Sequence, residues 1–214
     1  MNSRRHQRAV IREALRIQGL LFLKIQARIM PAAFYAGYDE MRFDGKGRSQ
    51  MDEERKLLKH FLAALAYRTQ KALRGAPPEF ADFRAGMKVR TPHELVRHMD
   101  SVLGYARTHF IGGGYQPPVM SNFADAIIHF HEVVKDLARH LDAGTEMHGI
   151  TPAVLLQGPF SDAMTHAGQL AMLRRLAGDP VPPENFIYAA ISVENLGPDQ
   201  PLPARPDEVW PEKP

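Results

Sequence analysis

Four stretches of helical periodicity, with no alternating strand pattern between them, constrain the fold of this 214-residue chain most strongly. In each stretch apolar residues recur at spacings of three, four and seven, which places them along one face of an α-helix. The stretches cover residues 52–73, 92–111, 121–141 and 159–177. Four amphipathic helices of similar length without strands are typical of a helical bundle. We therefore predict an all-α protein, a four-helix up-down bundle.

The second stretch carries the clearest boundary signals. Thr91 is a good N-cap, Pro92 suits the first helical position, and Glu94 completes a capping box. The three glycines at 112–114 predict the end of this helix. They do not form a phosphate-binding loop, because no Lys-Ser/Thr pair follows them and they close a helix instead of opening one.

The first fifty residues differ from the rest in charge. Residues 1–50 contain ten Lys and Arg against four Asp and Glu, a net charge of +6, whereas residues 51–214 carry −3. The DGKG sequence at 44–47 indicates a loop, and Met51 precedes three acidic residues that suit a first helical turn. We interpret residues 1–50 as a basic N-terminal extension. It is a start-site artefact, a basic arm for a partner or membrane surface, or an accessory helix docked on the body.

The bundle is predicted to occupy residues 51–179, and a different composition follows it. Nine of the 17 prolines lie in residues 180–214. A long helix is excluded there, since proline removes a backbone donor and clashes with the preceding turn. Apolar residues within this segment favour burial. We expect an extended proline-rich C-terminal arm that covers the bundle or a dimer partner, and we expect a homodimer.

The amino-acid composition limits the metal ligands that the chain can supply and its expected cellular location. The chain has no cysteine, so a metal must be held by nitrogen and oxygen ligands, and any reactive thiol must come from a substrate. The body lacks the basic surface typical of nucleic-acid-binding domains. No apolar run reaches about 18 residues, and no convincing secretion signal is present. We expect a cytoplasmic protein without membrane or nucleic-acid partners.

One pair of side chains on the fourth helix indicates a metal site. Asp162 and His166 are spaced i, i+4 and therefore project in the same direction. His98 lies among core positions of the second helix and is the natural third ligand. Three alternatives remain open at this point. Asp162 caps the helix or forms a salt bridge, the two side chains bond each other, or His98 bonds a backbone carbonyl.

Other histidines fit this site poorly. His109 lies eleven residues beyond His98, which is roughly 16 Å along a helix, so the two cannot share a metal. His129 and His131 flank the core position Phe130, and we predict that both are interfacial or exposed.

Two segments resemble the DinB-like (DinB/YfiT) family of four-helix bundles. The first is TPHELVRHM at residues 91–99, followed by VLGYA at 102–106. It is similar to the family's second helix, whose metal-ligating histidine falls on His98. The second is DAMTHAGQL at residues 162–170, which resembles the helix that carries two histidines one turn apart. The second of these histidines falls on His166, whereas the first is replaced here by Asp162.

The resemblance covers about residues 52–200 and implies a function. It predicts a divalent metal (Zn, Ni, Mn or Fe) held by His98, Asp162 and His166, and a metal-dependent thiol transferase or hydrolase. A low-molecular-weight thiol is the expected cosubstrate. The alternative is a non-catalytic stress-related or ligand-binding bundle. The carboxylate in place of a histidine makes the identity of the metal and the inherited activity open questions.

Overall fold

The computed structural model describes residues 45–204, and every regular element in that range is helical. The helices are α1 (Gly45–Leu73), α2 (Pro92–Ile111), α3 (Phe123–Asp142), a short α4 (Pro152–Leu155) and α5 (Ser161–Leu176). Short 3₁₀ turns occur at Pro78–Asp82 and Phe186–Tyr188. The predicted all-α class is thus confirmed for the described part of the chain.

The long helices share one apolar core, as in a helical bundle. Helix α2 packs against both α3 and α5, and Phe61 of α1 stacks on Phe160, which precedes α5, with ring centroids 6.1 Å apart. The buried Arg174 of α5 donates to the carbonyls of Ala72 and Arg74 at the end of α1. These bonds satisfy carbonyls that the end of a helix leaves without partners. No helix within residues 45–204 is long and apolar enough to cross a membrane.

The predicted start and end of α2 are confirmed. The hydroxyl of Thr91 accepts from the backbone N–H of Glu94 (3.2 Å), and the Glu94 carboxylate accepts from the Thr91 N–H (2.8 Å). This reciprocal capping box satisfies two donors that the helix would leave unpaired. At the other end Gly112 adopts a φ of 74°, a left-handed backbone conformation that favours glycine. His98 consequently lies in the second turn of a helix with fixed ends.

Gly104 on α2 permits a close approach of the chain that follows this helix. A Cβ atom at Gly104 would lie 2.2 Å from the ring of Tyr115, so a larger residue would displace the ring. The Tyr115 hydroxyl donates to the buried carboxylate of Asp100 (2.8 Å), which also accepts from Nδ1 of His129 on α3 (2.7 Å). This network joins α2, α3 and the segment between them.

Helix α1 begins earlier than predicted. The expected loop at 44–47 is wrong for residues 45–47, which lie in the first turn of α1. A glycine costs a helix about 1 kcal/mol but retains its N–H, so a helix can pass through glycines where proline would stop it. The helix therefore crosses the predicted boundary at residue 50, and one of the two compact units of the chain starts at Gly47. The interpretation of residues 1–44 lies outside the described residues.

The helix predicted from about residue 159 also begins earlier, at α4. Thr151 is its N-cap and accepts from the N–H of Val154 (3.2 Å). A π-helical turn (Leu156–Phe160) joins α4 to α5 and contains Pro159. Proline cannot donate in the regular helical ladder, and a wider turn accommodates this defect. Asp162 stands at the second position of α5, directly after that turn.

Residues 184–200 lie against α1 and α3. The Tyr67 hydroxyl of α1 donates to the buried carboxylate of Glu184 (2.7 Å), and the guanidinium of Arg68 lies 3.7 Å from the ring centroid of Phe186. Leu196 is part of the apolar core. Its carbonyl accepts from Nδ1 of His131 on α3 (2.8 Å). This segment is thus held on α1 and α3 by separate contacts along its length.

Candidate metal centre

Asp162 and His166 occupy consecutive turns at the start of α5. Oδ1 of Asp162 lies 3.4 Å from Nε2 of His166, and the two side chains are 48% and 8% exposed respectively. The imidazole is thus buried while the carboxylate remains at the surface. This arrangement is the one that the i, i+4 spacing predicts.

His98 approaches this pair from α2. Its Nε2 lies 3.9 Å from Oδ2 of Asp162, and its ring meets that of His166 edge to face, with centroids 4.8 Å apart. One ligand atom from each of the three residues lies within 4.8 Å of the others. Two ligands of one ion with bonds of about 2.1 Å at a tetrahedral angle would be about 3.4 Å apart. The predicted convergence of His98, Asp162 and His166 is confirmed, and the group could hold a metal ion.

Gln169 determines which nitrogen of His166 faces the other two side chains. Nδ1 of His166 donates to Oε1 of Gln169 at 2.7 Å. A neutral imidazole carries one N–H, so the lone pair is on Nε2. An acceptor that holds the distal ring nitrogen is a typical partner of metal-ligating histidines, because it fixes the tautomer and the ring orientation.

Nε2 of His166 is buried and makes no hydrogen bond within the described residues. A buried polar atom without a partner costs about 1–3 kcal/mol. A divalent cation between the three side chains would use this lone pair and the negative charge of Asp162. The donor set of two imidazoles and one carboxylate suits zinc, nickel, manganese or iron, so the residues fit a metal of this kind.

The electrostatic environment keeps His98 in its metal-binding form. Burial lowers the pKa of His98, and the positive charge of Arg90 and the proximity of His166 lower it further, whereas Asp162 acts in the opposite direction. The neutral imidazole is the form that binds a metal. The ion pair with Asp162, which would need a protonated ring, is correspondingly disfavoured.

Two cavities adjoin the group. The smaller, of about 200 Å³, includes His98, Glu94 and Asp100 in its lining. The larger, of about 520 Å³, is bordered by His166 and Gln169. The smaller cavity therefore gives a small molecule access to His98, and the larger cavity gives access to His166.

Three other histidines of α2 and α3 form hydrogen bonds outside the candidate centre. The prediction that His131 is interfacial or exposed is wrong, because its residue surface is only 1% exposed. Its Nδ1 bonds the Leu196 carbonyl, and Nε2 lies 3.4 Å from the amide of Gln70. Burial lowers the pKa of His131 to about 4. His129 is half-buried and bonds Asp100, and His109 bonds the carbonyl of His148.

Gln169 belongs to the DAMTHAGQL segment of the predicted site, but its bond to His166 was not predicted. The signal was present, since a residue three positions after a histidine lies one turn further along the same face. The effect of Arg90 on the pKa of His98 was not predicted either. It precedes α2 in the sequence, and only the folded loop brings its charge close to His98.

No family model matches the chain, and neither a curated protein nor a solved structure is significantly similar to it. The DinB-like assignment therefore depends on the two segments that carry His98 and His166, and it stays a prediction.

Proposed function

We propose that the chain is a DinB-like four-helix up-down bundle and a metal-dependent enzyme that activates a thiol or a water molecule. The observation that carries this proposal is the convergence of His98, Asp162 and His166, with Nε2 of His166 buried and without a hydrogen bond. Within residues 45–204, no further histidine or carboxylate belongs to this group. A three-ligand set is typical of catalytic centres, whereas structural centres usually have four protein ligands.

The protein side chains have distinct tasks in such a centre. His98 and His166 supply neutral nitrogen donors, and Gln169 holds the ring of His166 in place through Nδ1. Asp162 contributes the single negative charge. A divalent ion bound there would act as a Lewis acid that keeps a thiol or water deprotonated near neutral pH. Because the chain has no cysteine, a thiol nucleophile would be a cosubstrate, and the adjoining cavities provide space for it.

The test is metal binding by the full chain, purified without a histidine tag from metal-replete medium. Elemental analysis and calorimetric titration with Zn²⁺, Ni²⁺, Mn²⁺ and Fe²⁺ give the stoichiometry and the preferred ion. We expect one ion per chain. The His166→Ala variant should lose it, and its far-UV circular dichroism should match that of the wild type.

His60→Ala is the matched control, because His60 is an exposed histidine on α1 outside the cluster. It should retain full metal content. A wild type without stoichiometric metal, or a His166→Ala variant that binds metal as the wild type does, would overturn the proposal. A non-catalytic ligand-binding bundle would then be the better description.

A further inference from the structure

The larger cavity beside the candidate centre has the dimensions of a small-molecule site. Its volume of about 520 Å³ falls within the range of about 300–1,000 Å³ that is usual for such sites. One edge is formed by His166 and Gln169 of α5, and the loop before α2 contributes residues 88–90. The lining therefore combines the candidate centre with groups that the proposed chemistry does not use.

Two of those groups are cations. Lys88 and Arg90 line the cavity, and neither makes an ion pair within the described residues. The carboxylate of Glu94 on α2 interacts electrostatically with Arg90, but it accepts its hydrogen bond from the backbone of Thr91. Lys88 also has a φ of 63°, and it is the one residue other than glycine with positive φ in residues 45–204. This conformation costs a lysine on the order of 1 kcal/mol.

The rest of the lining is apolar: Val89, Leu95, Met172 and Leu173. Val89 and Met172 are 41% and 53% exposed. Adjacent exposed apolar side chains at a concave site lose unfavourable contact with water when a ligand covers them. The cavity thus offers an apolar wall next to a positively charged one.

We propose that this cavity binds a small amphipathic carboxylate. The acid group is held by Lys88 and Arg90, since guanidinium and ammonium groups donate charge-assisted hydrogen bonds to carboxylates. The apolar body covers Val89 and Met172, and the end nearest His166 reaches the candidate centre. Binding requires only the cavity, whereas the role of the ligand as a substrate rests on the proposed function.

The probes for this proposal are 4-phenylbutanoate and its neutral counterpart 4-phenylbutan-1-ol, which differ in the acid group. Calorimetric titration uses the full chain, both after removal of metal by a chelator and after loading with Zn²⁺. We expect the acid to bind roughly tenfold more tightly than the alcohol, the ratio typical of one well-formed charge-assisted contact. In the Lys88→Gln/Arg90→Gln variant the two probes should bind with affinities within about twofold of each other.

Arg97→Gln is the matched control, because Arg97 is an exposed arginine that lines the smaller cavity instead. It should retain the preference for the acid. Equal binding of the two probes by the wild type, no binding of either at millimolar concentration, or a preference that survives in the double variant would overturn the proposal.

A zinc titration of the same samples separates the two proposals. Zinc binding without any preference for the acid overturns the carboxylate site alone. A preference for the acid in protein that binds no metal supports the carboxylate site and overturns its role as a substrate site of a metalloenzyme.

Discussion

His131 and His166 are both buried histidines on central helices, yet their environments are opposite. At His131 each ring nitrogen faces a polar group, the Leu196 carbonyl on one side and the Gln70 amide on the other. At His166 one nitrogen bonds Gln169 and the other faces His98 and Asp162 without a hydrogen bond. Burial alone therefore does not distinguish a ligand from a structural residue. The difference lies in the groups that the second ring nitrogen faces: the side-chain amide of Gln70 at His131, but a carboxylate and a second imidazole at His166.

The largest expected effect is the difference in unfolding free energy between the His131→Ala and His166→Ala variants of the metal-free protein. His131→Ala should lower the free energy of unfolding by about 2–4 kcal/mol, because it leaves a cavity and an unpaired Leu196 carbonyl. His166→Ala should cost about 1 kcal/mol or less, since it also removes an unsatisfied buried nitrogen. Urea unfolding followed by circular dichroism measures both. Equal losses would contradict the comparison.

Lowering the pH should reduce the free energy of unfolding through His131 by almost as much as the His131→Ala substitution does. Burial lowers the pKa of His131 from 6.5 to about 4, so between these pH values the unfolded chain binds a proton that the folded chain does not. The contribution of His131 is present in full above pH 6.5 and declines as the pH falls toward 4, by about 3 kcal/mol in total. His131→Gln should show a shallower loss of unfolding free energy over this range. The same slope in both proteins would refute the assignment.

Removal of the Gln169 acceptor should weaken metal binding at His166. Gln169→Leu is expected to lower the affinity about 10- to 100-fold, the usual effect of losing an outer partner of a ligating histidine. Gln169→Glu keeps an acceptor and should retain most of the affinity. Gln157→Leu changes an exposed glutamine of the π-helical turn and should have no effect. Calorimetric metal titrations distinguish these outcomes.

The smallest effect on metal affinity is expected from substitution of Asp162. Asp162→His replaces a charged ligand by a neutral one and should change the metal affinity by less than about tenfold. Loss of the negative charge should make a bound water or thiol more acidic. The pH dependence of the visible spectrum of the cobalt-loaded protein reports this ionisation. A transition at the same pH in both proteins would show that Asp162 is not a ligand.

Local signals allowed the candidate site to be predicted from the sequence. Helix α2 has a capping box at Thr91 and a left-handed glycine at its end, so its limits follow from neighbouring residues. The convergence of Asp162 and His166 follows from the helical repeat alone. The approach of His98 followed from its core position and from the resemblance.

Features that depend on distant segments could not be predicted in the same way. His131 is covered by a residue 65 positions later in the chain, so no periodicity on α3 could show its burial. Leu57 of α1 has the helical spacing of a core residue, four positions before Phe61, but it is 70% exposed because no described segment covers it. The π-helical turn was missed because a proline usually indicates a helix boundary.

The bond between Tyr67 and Glu184 has a consequence for the order of folding. It joins residues that are 117 positions apart, whereas α2 and α3 are neighbours in the chain. Long loops close later than short ones, because more chain entropy is lost before any contact forms. We expect the helices to associate first and the segment around Glu184 to dock afterwards. Contacts that form after the rate-limiting barrier mainly control how fast a protein unfolds. We therefore expect the contacts of this segment to slow unfolding and to have little effect on the folding rate.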